Sequence, residues 1–390
     1  MKPLAARTDR LRQSDIRAVT AAVNRVGGIN LGQGICDLAT PDPVKAATIV
    51  AVETDRSIYT AYNGIQSLRE GILDKVRAFN RIPAADADEV MVGVGSTGAF
   101  VATVLTLCEA GDEVVVFEPF YGYHTGLLRL FGVVPVLVPL HAPDWSVDWA
   151  ALEGAITPKT KAVLVCTPGN PHGKVWTEDE LRRLLDLLER HDLWAITDEI
   201  YEHMTYDGRV HVSLASLPGA YARTVTLSGF SKTLNMTGWR LGYAVAAPPV
   251  IEKMGLISDL VYICAPAPLQ HGVAAALPLD DAYYTDLQAD YTARRALMGE
   301  TLDACGFVAS WPEGAYYAFA SFERLAGRPG FADDRQACET LIAEAGVATV
   351  PGSAFFADPA RGRHYLRFSF AKEMDVLDDA CRRLRAAFAA

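Results

Sequence analysis

The chain has no Cys-x-x-Cys pair, and its seven cysteines (36, 108, 166, 264, 305, 338 and 381) are scattered and odd in number. That spacing does not suit a zinc site or a disulfide framework. It reads as reduced thiols in the cytoplasm, with no metal expected. No apolar run approaches the roughly 20 residues of a membrane-spanning helix, so no membrane is expected as a partner. The stretch from Met1 to Arg17 is charged and has no apolar core, which does not fit a secretory signal. Basic charge is also short: 36 Lys and Arg against 47 Asp and Glu give a net charge of −11. Nonspecific nucleic-acid binding draws on a basic surface, so no nucleic-acid partner is expected. Internal repeats, low-complexity segments and long polar linkers are missing too, so any second domain joins the first closely.

What is present is ordinary globular composition, 50% hydrophobic and 21% charged over 390 residues. That length suits about two domains. Near-continuous apolar runs alternate with helical stretches. The runs predict strands at Glu89–Val94, Glu113–Phe117, Val133–Val138, Ala162–Cys166, Trp194–Thr197, Thr224–Leu227 and Gly242–Ala246. Thr177 and Glu180 form a capping box ahead of Leu181, Leu184, Leu185 and Leu188 at helical spacing. The alternation predicts an α/β fold, a mostly parallel central sheet with helices on both faces. After Pro278 a polar helix-like stretch (Asp280–Leu302) leads to Tyr316–Ala320, another helical segment and Tyr365–Phe370. The expected division is a large α/β domain over 46–277, with a smaller α+β domain formed by 1–45 and 278–390.

The stretch Gly229-Phe-Ser-Lys-Thr-Leu-Asn-Met-Thr-Gly-Trp-Arg-Leu-Gly242 is the strongest chemical signal. It sets Lys232 among small residues, with Arg240 eight positions later. An enclosed lysine has a lowered pKa and can act as a nucleophile toward a carbonyl cofactor. A guanidinium grips phosphate with two parallel hydrogen bonds. A reactive lysine beside a phosphate clamp points to pyridoxal phosphate (PLP).

Ligands of open α/β sheets sit at the carboxyl ends of the strands, and the other notable residues fall there. Gly95-Ser96-Thr97-Gly98 opens an apolar helix, whose N-terminus is a ready phosphate site. Pro119-Phe120-Tyr121 offers an aromatic ring. Asn170 stands between two prolines after the Ala162–Cys166 run. Asp198 comes directly off an apolar strand, so it is expected to be partly buried and to need a cationic partner, which a pyridinium N–H would supply. Tyr201 is three positions on.

In this order the motifs resemble the class I/II aminotransferases, fold-type I PLP enzymes, over nearly the whole chain. The resemblance implies that Lys232 is the Schiff-base lysine and that Ser231 and Arg240 bind the cofactor. It implies that Asn170 and Tyr201 contact the cofactor's phenolic oxygen and that Asp198 holds its ring nitrogen. Ser96, Thr97 and Gly98 would cup the phosphate, with Tyr121 stacked on the ring. Tyr59-Thr-Ala-Tyr-Asn-Gly64 is similar to a segment that reaches the phosphate across a dimer interface, which implies a homodimer. Arg367, in Arg-Phe-Ser, would bind the substrate α-carboxylate together with Gly34 and Asn170. The implied reaction is ping-pong transfer of an amino group between an L-amino acid and a 2-oxo acid, with the Lys232 amine moving the α-proton. Cys36 and His172 depart from the family pattern near the expected site.

Three other readings compete. A C–S lyase of the same fold uses the same Lys, Asp, Tyr and Arg set. An NAD-dependent dehydrogenase would use Gly93-x-Gly95-x-x-Gly98, with Glu118 at the end of the next strand as its ribose ligand. That reading leaves Lys232, Arg240, Asn170, Asp198 and Arg367 without work. A PLP-sensing regulator would carry a basic DNA-binding module, and no such stretch precedes the catalytic body.

Overall fold

All seven predicted apolar runs are strands in the computed structural model, which describes residues 2–5, 8, 15–277 and 279–389. They are β1 (Val90–Val94), β2 (Glu113–Glu118), β3 (Val134–His141), β5 (Thr160–Cys166), β6 (Trp194–Asp198), β7 (Thr224–Gly229) and β8 (Leu241–Val245). A short eighth strand, β4 (Ser146–Val147), was not expected from the sequence. The sheet order is β1-β8-β7-β6-β5-β2-β3-β4. Neighbours from β7 through β3 are parallel, whereas β8 runs antiparallel to both β7 and β1, and β4 runs antiparallel to β3.

Apolar residues fill both faces because helices cover both. On β5, Val163 and Val165 point to one core with the leucines of helix Glu178–Arg190. Ala162 and Leu164 point to the other core with Ala99, Phe100 and Ala102 of helix Gly95–Leu107. Each fully buried leucine contributes roughly 1.5–3 kcal/mol relative to exposure. The Thr177 capping box starts the first of these helices: Glu180 N donates to Thr177 Oγ1 at 3.2 Å, and Thr177 N donates to Glu180 Oε2 at 2.9 Å.

A second, antiparallel sheet contains β9 (Val308–Ala309), β10 (Tyr317–Ser321), β11 (Val350–Pro351) and β12 (Tyr365–Ser369) in the order β9-β10-β12-β11. Near the N-terminus, Ile29–Asn30 pairs in parallel with Val347–Ala348, so the early chain joins this later part. Helix Asp42–Glu53 instead packs on helix Ala267–Ala276, so a cut at 45/46 would fall inside a helix. Pro278, where the sequence pattern changes, lies outside the described residues, as do parts of the charged stretch at the N-terminus.

The dinucleotide reading fails on topology. Its fingerprint needs the strand before the glycines to lie beside the strand that ends in the acidic residue. Here β1 is at the sheet edge, and four strands separate it from β2. The Glu118 carboxylate is also engaged: it accepts from Ala357 N at 2.6 Å and pairs with Arg361.

Candidate active site

A cavity of about 420 Å³ opens at the carboxyl ends of the parallel strands. Its lining contains Gly34, Ser96, Thr97, Tyr121, Asn170, Asp198, Tyr201, Ser231, Lys232, Arg240 and Arg367. Of the residues singled out from sequence, Gly98 and Tyr59 are not in that lining. Gly98 is buried one turn into its helix, where an added Cβ would meet Val94 at 3.2 Å and Tyr262 at 3.5 Å. Tyr59 is 77% exposed on the surface of the single chain.

Strand β7 ends at Gly229, and the next helical turn, Phe230–Thr233, presents Lys232. Lys232 Nζ donates to Gly34 O at 2.9 Å, and the Tyr316 hydroxyl donates to the same carbonyl at 2.9 Å. Burial pulls the Lys232 amine below its ordinary pKa. Tyr317 and Cys36 oppose this, whereas Arg367 and Arg240 add to it. A buried amine poised toward its neutral form is the state a nucleophile or base requires.

Arg240 has a left-handed backbone (φ +57°), and its carbonyl accepts from Gly95 N at 2.9 Å. Its guanidinium lies so close to Gly95 that an added Cβ there would stand 2.3 Å from Nη2. Gly95 is itself left-handed, at φ +68°, which glycine tolerates. Arg240 therefore sits at the N-terminus of helix Gly95–Leu107, whose first N–H groups have no acceptor within the helix. A cation beside free N–H groups suits a phosphate.

Asp198 ends β6 and is buried. His124 Nε2 lies 2.9 Å from its Oδ2, and Ile200 N donates to Oδ1 at 3.3 Å. The Tyr121 ring stands edge-on to His124, with centroids 5.3 Å apart. The hydroxyls of Tyr201 and Tyr317 are 3.1 Å apart, and burial, with Tyr317 as the next cause, pushes the Tyr201 phenol well above its ordinary pKa.

Arg367, on β12, is fully buried. Its Nη1 donates to Asn170 Oδ1 at 2.9 Å and its Nη2 to Gly32 O at 2.7 Å, while Nε has no partner. The guanidinium carbon lies 4.3 Å from the Tyr317 ring centre. A buried cation faced only by neutral acceptors suits an incoming carboxylate. Gly34 leaves no room for a side chain, since a Cβ there would fall 1.9 Å from the Tyr317 hydroxyl.

Neither departure from the family pattern is in the cavity lining. Cys36 is buried behind the mouth loop, with Sγ 2.9 Å from Asn235 Oδ1 and 3.2 Å from the Tyr291 hydroxyl. His172 is packed near Trp145 (centroids 5.6 Å), and its Nδ1 accepts from Lys174 N at 3.1 Å. Burial, with the Lys174 charge, takes its pKa down to about 3, so the ring is neutral. Sequence reasoning gave no site role to Tyr123, Cys166 or Thr237, and it took His124 only as a candidate pocket wall, not as the partner of Asp198. The spacing Tyr121-x-x-His124, one helical turn at the start of helix Gly122–Leu130, is the signal that points to His124.

The metal-ligand types do converge elsewhere: among the described residues Glu199, Glu202 and His211 form one tight group. Lys75 already supplies a cation to it, with Nζ 2.5 Å from Glu202 Oε1. No helix of the described residues is long and apolar enough to cross a membrane.

Comparison with known proteins shows the family and the fold. The family description "Aminotransferase class I and II" matches residues 26–384. The chain is 35% identical over 378 residues to a probable N-succinyldiaminopimelate aminotransferase of Mycobacterium tuberculosis, covering 94% of each chain. It is 30% identical to the methionine aminotransferase of Escherichia coli, again covering 94% of each. Among solved structures, N-succinyldiaminopimelate aminotransferase from Mycobacterium tuberculosis superposes with a TM-score of 0.93 at 33% identity, covering 99% of this chain and 100% of that one. Thermus thermophilus aspartate aminotransferase with maleate gives a TM-score of 0.90 at 32% identity, with the same coverage.

Proposed function

The chain belongs to the class I and II aminotransferases, and from that premise we propose that it works with pyridoxal phosphate held on Lys232, moving amino groups between L-amino acids and 2-oxo acids by a ping-pong mechanism. The observation that carries this is the buried Lys232 amine, held low in pKa, in one cavity with Arg240, Asp198 and Arg367. The residues fit the cofactor. Arg240, Ser231 and the Ser96–Thr97 end of helix Gly95–Leu107 would take the phosphate. Asp198, oriented by His124, would hold the protonated ring nitrogen. Asn170 and Tyr201 would take the phenolic oxygen, with Tyr121 beside the ring. When bound, the cofactor supplies the electron sink that acidifies the substrate Cα–H.

The chain's own residues do the rest. Arg367 binds the α-carboxylate through N–H donors that Asn170 and Gly32 leave free, and Gly34 admits that carboxylate beside it. The neutral Lys232 amine takes the α-proton and later returns it, acting as base and then as acid. We place the enzyme in the cytoplasm, as a homodimer in which Tyr59 reaches the partner's phosphate site. Exposed Ile58, Tyr59 and Leu260 support a second copy as the cover.

Borohydride reduction of cofactor-loaded protein, followed by peptide mass analysis, tests the lysine. The adduct is expected on Lys232, and Lys232→Ala should show neither adduct nor turnover. An adduct on another lysine refutes the assignment. Mixing inactive Lys232→Ala with Tyr59→Ala tests the dimer: activity is regained only if Tyr59 acts across the interface. Pyruvate released from a cysteine-type donor without any 2-oxo acid would mark elimination instead of transfer.

A further inference from the structure

We infer that Tyr317 is a positioning residue that joins the two ends of the cavity: its ring holds the Arg367 guanidinium in place for the substrate carboxylate, and its hydroxyl aims the Tyr201 hydrogen at the cofactor's phenolic oxygen. The inference rests on the roles proposed above for Arg367, Tyr201 and Lys232. Tyr317 opens β10 and pairs with Ser369 of β12, while Arg367 of β12 pairs with Phe319. Arg367 is therefore the diagonal neighbour of Tyr317 on one face of the sheet, a separation that an aromatic ring and a long side chain can bridge. The guanidinium carbon stands 4.3 Å from the Tyr317 ring centre and 5.0 Å from that of Phe355. A planar cation held against a ring gains most where water is excluded, and the contact limits how far it can swing.

The hydroxyl has a separate role. Tyr201 and Tyr317 are both buried, and their rings meet edge-on with centroids 5.8 Å apart. Their hydroxyl oxygens, 3.1 Å apart, share one hydrogen. If Tyr201 gives its own hydrogen to the cofactor's phenolic oxygen, Tyr317 has to be the donor within the pair. Accepting that bond turns the Tyr201 hydrogen away from Tyr317 and makes it a better donor. The Gly34 backbone lies against the same Tyr317 hydroxyl, leaving no room for a Cβ. All of these contacts are made within one chain, so they do not depend on what a second copy brings.

The pH midpoint of the bound cofactor's visible absorbance reads the Tyr201 donor. A donor favours the anionic phenolic oxygen, so weakening it should raise the midpoint. Tyr317→Phe keeps the ring and removes the hydroxyl. Its midpoint should rise by at least about 0.3 unit and its kcat should fall at least about 2-fold. Its affinity for an unreactive acid, the tighter-binding of 3-phenylpropanoate and maleate by calorimetry, should stay within about 2-fold of wild type. Tyr317→Leu removes the ring as well and should weaken that acid at least about 3-fold; if it does not fold, Tyr317→Met takes its place. Because Tyr317 acts through Tyr201, adding Tyr317→Phe to Tyr201→Phe should move the midpoint no further than Tyr201→Phe alone. An unmoved midpoint in Tyr317→Phe, or shifts that add in the double variant, overturns the part given to the hydroxyl. Acid binding that survives loss of the ring, or that Tyr317→Phe weakens just as much, overturns the part given to the ring. Either result leaves the aminotransferase reading intact so long as the wild-type borohydride adduct is on Lys232; an adduct elsewhere overturns that reading and this inference with it.

Discussion

Breaking the buried Lys75–Glu202 pair should unfold the enzyme more easily than any surface change, and the size of the effect can be worked from its surroundings. Lys75, on helix Gln66–Ala78, places Nζ 2.5 Å from Glu202 Oε1, 2.8 Å from Asn80 Oδ1 and 3.2 Å from the Tyr243 hydroxyl. Glu202 also accepts from Ser228 Oγ at 2.7 Å and Asn80 Nδ2 at 2.7 Å. Burial pushes the Glu202 carboxyl up, but the Lys75 ammonium more than offsets it, with smaller help from His203, His211 and Asn80, and the pKa settles at about 2 against an ordinary 4.5. That gap corresponds to about 3 kcal/mol on the carboxyl side alone, and burial offsets part of it by pulling the Lys75 ammonium below its ordinary 10.5. Because the folded value lies below the unfolded one, the contribution is present above about pH 4.5 and is lost as pH falls toward 2. Lys75→Met leaves a buried carboxylate without its cation, which costs about 3–5 kcal/mol at neutral pH. In that variant the carboxyl is raised instead, so the deficit should shrink on acidification through the ordinary carboxylate range. The double variant Lys75→Met/Glu202→Gln removes both charges and should recover most of the loss. Denaturant midpoints of the apoprotein at fixed protomer concentration measure this. A single-variant loss under about 1 kcal/mol, or losses that simply add, would refute the reasoning.

Two further outcomes are expected. Gly242→Ala puts a methyl 2.2 Å from Ser96 N, so the helix N-terminus and β8 must separate; the apoprotein should lose about 1–3 kcal/mol and its cofactor affinity should fall, as fluorescence titration would show. Lys232→Met should make the apoprotein more stable at neutral pH, because the native amine is pulled below its ordinary 10.5 by burial; the folded state then binds fewer protons than the unfolded one, so wild-type stability rises with pH up to about that value and the variant's advantage should vanish there.

What was legible in the sequence was local. A buried strand on a parallel sheet needs a continuous apolar run, and its end is marked where polar residues resume, so β6 announces Asp198 and β7 announces Lys232. Contacts between distant segments were not legible by that route. His124 meets Asp198 across 74 positions, and Cys36 meets Asn235 across 199. Neither partner has a periodicity that names the other. Strand order was hidden for the same reason: the apolar run of β1 shows that it is a strand but not that β8 is its neighbour. The dinucleotide fingerprint survived as a rival only while that neighbour was unknown.

The glycines around Lys232 have a structural role besides leaving room for a ligand. Small residues beside a reactive lysine suggest room for a ligand, yet Gly229 and Gly242 are not in the cavity lining. A Cβ on Gly229 would meet Gly242 Cα at 2.7 Å, one on Gly242 would meet Ser96 N at 2.2 Å, and one on Gly95 would meet the Arg240 guanidinium at 2.3 Å. These contacts run from backbone to backbone, and finally to a side chain, across β7, β8 and the helix after β1. Their effect is to draw three separate segments close enough that Lys232, Arg240 and Ser96 share one cavity. The glycines therefore assemble the site by letting the scaffold close up behind it, and a methyl at 242 would act on cofactor binding without touching the cofactor.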